Sequence, residues 1–397
     1  MEDGIEEAHL LAAGGAGGTS TQQYVTVGSS ELPADVKAAC DYVCDGVDDQ
    51  IQINAALLQA SRPADGFGGE GRIGVALIGP RFYTAQNQSG AGLGAITMYP
   101  STQLVGAGPG TIVTPMWSTN VDRGCIELLN ADVAHVRVSM LTIGRHNAVV
   151  SNGHGVKFTN DGSALVYNLP SGSDPLIQLD RVYVNQANGS GFILTGATGG
   201  ARGTLLDHCT AWSCTERGFW IDSSDCHIDE CIANGGGNFP RFELAGGNTK
   251  IANSKAYYSG NRTGDGTLAD GFVVSSSRIE LVGCSAQDNG RWGFRFLAGD
   301  VTATGLVADS NSRASTVGGG FEIAAAGKYD LHAFDRNQTP ASRQNTQIAF
   351  SGTRQVHLMA RTSLGPGPAA GPHVSGSPAA NSFMRVVRDG DTLLTAG

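Results

Sequence analysis

The sequence predicts an all-β fold, a right-handed parallel β-helix, and three observations carry that prediction. The first is a repeat. Across residues 191–337 an aromatic opens a short apolar run six times, at Phe192, Phe219, Phe242, Phe272, Phe294 and Phe321, at spacings of 22 to 30 residues. Five of these follow a glycine, and Phe242 follows Arg241. Twelve residues after the second to fifth aromatics stand Cys231, Ser254, Cys284 and Leu306, and fourteen after them stand Ala233, Ala256, Ala286 and Ala308. A repeat of this length marks a stacked architecture. The second observation is alternation. Phe219-Trp220-Ile221 and Phe294-Arg295-Phe296 have period two, which puts one face in and one face out, as in a strand. The third is composition. The chain has 57 glycines and only 16% charged residues, a turn-dense β balance. Gly235-Gly236-Gly237 and Asp288-Asn289-Gly290 fill gaps between strands with residues that accept corners at positive φ. Coils stacked about 4.8 Å apart then set equivalent residues directly above one another.

Taken in order, residues 1–23 form a flexible leader or an attachment to a particle, with glycines at 14, 15, 17 and 18. Residues 24–27 form a strand. A helix is expected over 32–42, with Pro33 in its first turn where a missing N–H costs nothing. Asp45-Gly46 breaks it. Asp48 or Asp49 caps a second helix whose apolar stripe is Ile51, Ala55 and Leu58. Capping helices over 32–60 would close the open end of a solenoid, whose core and edges otherwise face water. Coils run over 24–362, with strands at 124–129, 136–143, 155–158 and 176–184 and a protruding loop at 160–175. A last coil lies at 347–350 and 355–360. Residues 363–381 carry Pro366, Pro368, Pro372 and Pro378 among Gly and Ala and are expected to be a linker. Residues 382–397 form a short β appendage, a hairpin turning at Asp389-Gly390. An isolated hairpin is not stable in water, so it needs a surface of this chain or of another copy.

Charge and composition exclude some functions. A net charge of −10 and a pI near 5.3 argue against nucleic acid. No apolar run is long enough for membrane insertion. Residues 1–18 lack the basic start of a signal peptide, so the protein is expected either to stay inside a cell or to leave by another route, such as assembly into a particle. The eight cysteines are expected as reduced core thiols, because stacked neighbours with parallel Cβ vectors make poor disulfides. His208-Cys209 with Cys214, and Cys226-His227 with Cys231, resemble a duplicated metal set. The register turns the cysteines in and the histidines out, so no metal site is expected. Gly106-Ala107-Gly108-Pro109-Gly110 is no phosphate loop, because no helix follows it.

The residue after each aromatic forms an outward ladder: Ile193, Trp220, Glu243, Val273, Arg295 and Glu322. Trp220 could stack on a sugar ring while Glu243 and Arg295 take its hydroxyls. A solvated sheet face, or one buried against a second subunit, would look the same. Long loops fall at one corner, over 257–271 and 309–320. They bring Asn261, Arg262, Asp265 and Asp270, and Arg313, as further binding candidates. Glycoside hydrolysis needs two carboxyls about 5–9.5 Å apart. Asp222 with Asp225, Asp265 with Asp270, or Asp229 with Glu230 are the available pairs. A polysaccharide lyase needs a basic group beside a uronate-neutralising site, which Arg262, Asp265 and Asp270 match best. No cofactor is implied, and Ca²⁺ enters only if the chemistry is that of a lyase. No pair stands out, which favours binding over catalysis.

Residues 45–57, Asp45-Gly46-Val47-Asp48-Asp49 leading into Gln50-Ile51-Gln52-Ile53-Asn54-Ala55-Ala56-Leu57, resemble the opening motif of the pectate-lyase-like β-helix superfamily. Residues 71–83, ending Gly79-Pro80-Arg81-Phe82-Tyr83, are similar to its first strand and turn. Residues 104–108 with Thr111-Ile112-Val113 are similar to its second coil. The fuller opening, Tyr24 through Leu32-Pro33-Ala34-Asp35 to Lys37, resembles minor tail and tailspike proteins of actinobacterial phages. The resemblance covers roughly residues 24–340. It implies a structural, receptor-binding tail protein of a bacteriophage, located in the virion, that recognises host cell-surface glycan. It also implies a homotrimer in contact with other tail or baseplate proteins. Because the superfamily also contains lyases and hydrolases, a polysaccharide-degrading enzyme is the alternative.

Overall fold

A computed structural model of the chain describes residues 24–61, 74–84, 95–99, 102–117, 122–128, 136–145, 153–160, 177–196, 203–260, 268–314, 318–335, 346–351, 355–364, 374–388 and 391–396. The chain divides into two compact units, residues 1–209 and 210–397. Each is a stack of parallel coils, as the repeat predicts.

In the first unit, Tyr24–Gly28 pairs in parallel with Gly74–Ile78, which pairs with Gln103–Gly106. Val136–Ile143 and Ile177–Asn185 continue the row. A second sheet stacks Ile96–Thr97, Gly124–Leu128, His154–Asn160 and Phe192–Gly196, again all parallel.

The helices cap this unit, though not as the sequence suggests in detail. The first helix is only Ala34–Ala38. The chain leaves it because Asp41 is tied to the first strand. Its carboxylate accepts hydrogen bonds from the Thr26 backbone N–H (2.8 Å) and the Thr26 hydroxyl (3.0 Å). Tyr42–Val43 then pairs alongside Val27 and Gly28. The second helix is Gln50–Ser61, rotated relative to the expected stripe. Ile53, Ala56, Leu57 and Ala60 are buried, whereas Ile51 is 61% and Leu58 38% exposed. Asp49 fixes that phase. Rather than capping the helix, its carboxylate accepts the backbone N–H groups of Gly46 and Tyr83, each at 2.7 Å. Asn54 closes the sheet edge itself. Its amide donates to the Ala95 carbonyl at 2.9 Å and accepts the Thr97 N–H at 2.8 Å, as a neighbouring strand would.

In the second unit, Phe219–Asp222, Phe242–Leu244, Phe272–Val274, Trp292–Phe296 and Gly319–Ile323 form one sheet in unbroken register. Phe219, Phe242, Phe272, Phe294 and Phe321 stack with centroids 4.6, 4.7, 4.8 and 5.1 Å apart. The alanines form a second inward column, Ala233–Ala256–Ala286–Ala308. The two columns explain each other. A Cβ on Gly218, Gly271 or Gly293, each just before a phenylalanine, would meet Ala233, Ala286 or Ala308 at 2.6, 3.0 or 3.1 Å. The coil is too narrow there for a larger pair.

Three corner columns take positive φ, and most are not glycine. His208, Glu230 and Asn253 lead into Gly283 and Gly305; Asp225, Asn248 and Arg278 form another; Ser213, Gly235, Tyr258, Asp288 and Ser310 form the third. Asn289 and Asn311 stack in the interior beside the third corner, joined by an amide hydrogen bond of 2.9 Å. At the C-terminal end, Val374–Ser375 pairs with Ile348 and Ala349, and Phe383–Arg388 pairs in parallel with the strand Val356–Leu364. Strand pairing therefore continues through both ends of the proline-rich stretch. Phe383–Arg388 then turns back on Asp391–Ala396 as an antiparallel hairpin, so the hairpin's surface is this chain's own.

All eight cysteines are free. Cys209, Cys231 and Cys284 are fully buried, and burial pushes the Cys284 thiol up to about 12. His208 and His227 lie on the exposed side of the coil, with His208 Nδ1 2.8 Å from Asp207. The cysteines and histidines therefore lie on opposite faces, as the register requires.

Candidate functional site

The outward ladder of the second unit is in register: Trp220 opposite Glu243, then Val273, Arg295 and Glu322. Its members are half-buried or, for Val273, buried. They are drawn in by partners that the ladder pattern alone does not reveal. Arg217 ion-pairs with Glu243 and places its guanidinium 4.7 Å from the Trp220 ring centroid and 5.2 Å from that of Phe239. One face of the proposed sugar platform is thus occupied by an arginine.

Arg241, where the repeat has glycine, explains how Phe239 gets there. Its side chain is fully buried. Its Nη2 donates to the carbonyls of Glu216 (2.7 Å), Phe239 (2.8 Å) and Gly237 (3.2 Å), and its Nη1 to those of Gly235 and Cys214. The cation pins residues 235–239 from inside. Among the described residues no carboxylate pairs with it, and burial lowers its pKa to about 10.

Asp270 is not available for catalysis or for binding a ligand. It is fully buried. It accepts Arg291 Nε at 2.7 Å and the Trp292 N–H at 3.1 Å, and pairs with Arg295 Nη1 at 3.4 Å. Arg295 also holds Glu322. Burial alone would lower the Arg295 guanidinium, but Glu322 and Asp270 outweigh it and push it up. The sequence candidate is thus a structural clamp joining adjacent coils.

Asp222 lies on the ladder face, two residues after Trp220 and exposed. Burial, and then the Glu243 charge, hold its carboxyl above the usual range. Asp225 is at a corner, with φ 61° and a hydrogen bond from Asn248, so the structure does not place it on the ladder strand with Asp222. Asp229 and Glu230 sit at the next corner, where Asp229 accepts Asn253 Nδ2 at 3.0 Å. Arg313 belongs to the third corner, bonded to Asp288 at 3.0 Å and lying over Tyr258. Asn261, Arg262 and Asp265 lie outside the described residues. The face therefore brings together Trp220, Asp222, Glu243 and Arg295, and adds Arg217, Phe239 and Arg291, with the buried Arg241 behind it. Of these last four, only Arg241 left a sequence signal, as the exception in the Gly-Phe repeat.

The corresponding sheet of the first unit carries a charged cluster that the sequence reading passed over. His154 Nδ1 accepts the Ser190 N–H at 2.9 Å, which leaves Nε2 to donate to Asp122 at 2.8 Å. Lys157 Nζ reaches the same Asp122 oxygen at 2.7 Å. Burial alone would raise the Asp122 carboxyl; Lys157 and His154 outweigh it and lower it.

Among the described residues no group of His, Cys, Asp and Glu is arranged to hold a metal ion, and no helix is long and apolar enough to cross a membrane.

No family model matches the chain, and no curated protein matches it. Solved structures do. The A-module of Azotobacter vinelandii mannuronan C-5 epimerase AlgE4 superposes with a TM-score of 0.59 at 18% identity, covering 87% of this chain and 90% of that one. The enzymatically active domain of bacteriophage CBA120 tailspike protein 2 gives 0.57 at 13%, covering 79% and 45%. The catalytic domain of a GH87 alpha-1,3-glucanase gives 0.52 at 12%, covering 94% and 69%. Identities this low establish shared architecture and no more: the chain has a right-handed parallel β-helix fold.

Proposed function

We propose that the protein is a receptor-binding component of a bacteriophage tail that recognises polysaccharide on the host surface. The observation that carries this reading is the ladder of Trp220, Glu243, Arg295 and Glu322, in register on a rigid sheet with the buried Val273 on the coil between Glu243 and Arg295. An aromatic with charged groups of both signs, one or two coils of about 4.8 Å apart, suits an extended sugar chain. The ion pairs that hold these groups half-buried pre-organise them, which lowers the ordering cost of binding. The tail assignment is supported by the resemblance of residues 24–37 to phage tail proteins and by the likeness of fold to a tailspike. With it go a virion location, contact with other tail or baseplate proteins, and a homotrimeric state. Purified protein should bind host envelope polysaccharide without releasing reducing ends or unsaturated uronates, and should scatter light as a trimer. Turnover that Asp222→Ala abolishes would overturn the binding-only function; a monomer at micromolar concentration would overturn the trimer.

One observation favours a second reading, a glycoside hydrolase. Asp222 is held toward its protonated form beside Glu243, whose charge Arg217 compensates. Two carboxyl groups on one face, one of them raised, are what hydrolysis uses. The turnover assay separates the two. A lyase would instead use a Lys or Arg base beside a site that neutralises a uronate, often with Ca²⁺.

A further inference from the structure

The second unit has another outward face, on the strands Thr210–Trp212, Ile232–Asn234, Lys255–Tyr257 and Ser285–Gln287. Ala211, Ala233, Ala256 and Ala286 point inward from these strands. The last column is therefore Trp212, Asn234, Tyr257 and Gln287, aligned coil on coil, with Asn234 buried and Tyr257 and Gln287 half-buried. Trp212 is 39% exposed. Among the described residues no ring or cation lies over its indole, in contrast to Trp220. Tyr257 stands two coils further on, roughly 10 Å away at the usual strand spacing.

The corner beside this column is unusual. Where Ser213, Gly235, Asp288 and Ser310 take positive φ on other coils, Tyr258 takes it here, at φ 59°. An aromatic residue resists that conformation, and such strain persists where the position of the side chain matters. The Tyr258 ring meets that of Tyr257 at 5.4 Å, tilted by 58°. Arg313, fixed by Asp288, lies 5.9 Å over Tyr258. The aromatic pair is thus held in place from behind.

We infer that this column is a carbohydrate-binding site separate from the Trp220 face, and that it takes one strand of a neutral polysaccharide lying along the stack. A pyranose offers C–H faces to aromatic rings and hydroxyl edges to amides. Trp212 and Tyr257 supply rings on alternate coils. Asn234 between them is only 7% exposed and Gln287 beyond already donates to Asp288 at 3.0 Å, so the two rings carry the contact and the Gln287 amide oxygen is left for a hydroxyl. Lys255, 5.0 Å over the Tyr257 ring, sits on a flexible stem that can swing to a hydroxyl. The column holds no carboxylate from Trp212 to Gln287, and the face's Lys255 alone does not call for an acidic polymer. A second copy of the chain fits less well. The exposed large apolar side chains here are Trp212 and Ile232, far short of the about 800 Å² per partner that a stable interface buries. The inference rests on the proposed function in taking the ligand to be polysaccharide, and goes beyond it in assigning a second site.

The four tryptophans, Trp117, Trp212, Trp220 and Trp292, allow a direct test. The full chain is labelled with 5-fluorotryptophan, its ¹⁹F resonances are assigned with single Trp→Phe variants, and it is titrated with nigero-, laminari- and cello-tetraose and with a mannuronan tetrasaccharide. The expected result is a saturable shift of the Trp212 resonance with at least one neutral tetraose. Tyr257→Ala should weaken that response about tenfold, while Tyr257→Phe keeps it, with thermal melts of both variants unchanged. If Trp220 shifts and Trp212 does not, the second site is wrong and glycan recognition stands. If the mannuronan probe alone moves Trp212, the assignment of a neutral ligand is overturned. If no resonance moves with any probe, both this site and glycan recognition by the chain are overturned.

Discussion

Arg217 lies 4.7 Å over the Trp220 ring centroid while ion-pairing with Glu243 on the next coil. One side chain thus covers the aromatic and compensates the carboxylate whose charge acts on Asp222. Removing it should uncover the indole at little cost in stability, because the pair is partly exposed and such pairs contribute about 0–1 kcal/mol. Arg217→Ala is expected to melt within a few degrees of wild type and to quench more readily with acrylamide in a background where Trp212 is phenylalanine. Unchanged quenching would mean that Arg217 does not shield the ring in solution.

Asp222 should leave a signature in the pH dependence of stability. The fold holds its carboxyl above the ordinary value, through burial and then through Glu243. The unfolded chain ionises it near about 3.9. A group raised in the fold contributes stability that is fully present below the unfolded pKa and is lost as pH rises through the folded pKa. Asp222→Asn removes that loss. Thermal melts from pH 3 to pH 7 should therefore show the variant gaining on wild type as pH rises, with the gap smallest at pH 3. A gap that shrinks with rising pH would contradict the environment assigned to Asp222.

Asp270 tests the difference between a catalytic and a structural carboxylate. Replacing it with asparagine leaves Arg291 and Arg295, with 14% and 21% of their side chains exposed, short of a counter-charge. Breaking one partner out of a buried ion-pair cluster costs about 3–5 kcal/mol. Urea denaturation of Asp270→Asn should show a loss of that order. A variant as stable as wild type would show that the clamp does not operate.

The residues that repeat were legible in the sequence, and those that break the repeat were not. The phenylalanine stack and the alanine column follow from spacing, because coils of similar length must superpose. The outward ladder follows from period two. The phase of the helix Gln50–Ser61 did not follow, since Ile51 and Leu58 look as apolar as Ile53 and Leu57. The choice is made by Asp49, whose partner Tyr83 is 34 residues away. The state of Trp220 was hidden for the same reason. Its cover, Arg217, is set by Glu243 and by Phe239, and Phe239 is held by a buried arginine in a loop with no pattern of its own. Long-range polar ties decide these features, and periodicity carries no information about them.

Arg241 gives the sharpest separation between pattern and physics. Glycine precedes five of the six repeat aromatics, so a consensus argument makes Arg241→Gly a stabilising repair. The structure predicts the opposite. The carbonyls of Cys214, Glu216, Gly235, Gly237 and Phe239 all accept from this one guanidinium. Glycine would take this donor from all five, leaving the Cys214 and Gly237 carbonyls only their backbone donors, the N–H groups of Gly237 and Gly260, and would leave the side chain's volume empty. Each unmet buried group costs about 1–3 kcal/mol, though loop relaxation and water entry recover part of that, so a net loss of about 3 kcal/mol is expected. Lysine should not rescue it, because a single ammonium cannot reach donors fanned across five carbonyls. Chemical denaturation of Arg241→Gly and Arg241→Lys should place both below wild type. Trp220 fluorescence in each should move toward that of Arg217→Ala as Phe239 loses its support. An Arg241→Gly protein at or above wild-type stability would show that the glycine of the repeat outweighs the pinned loop.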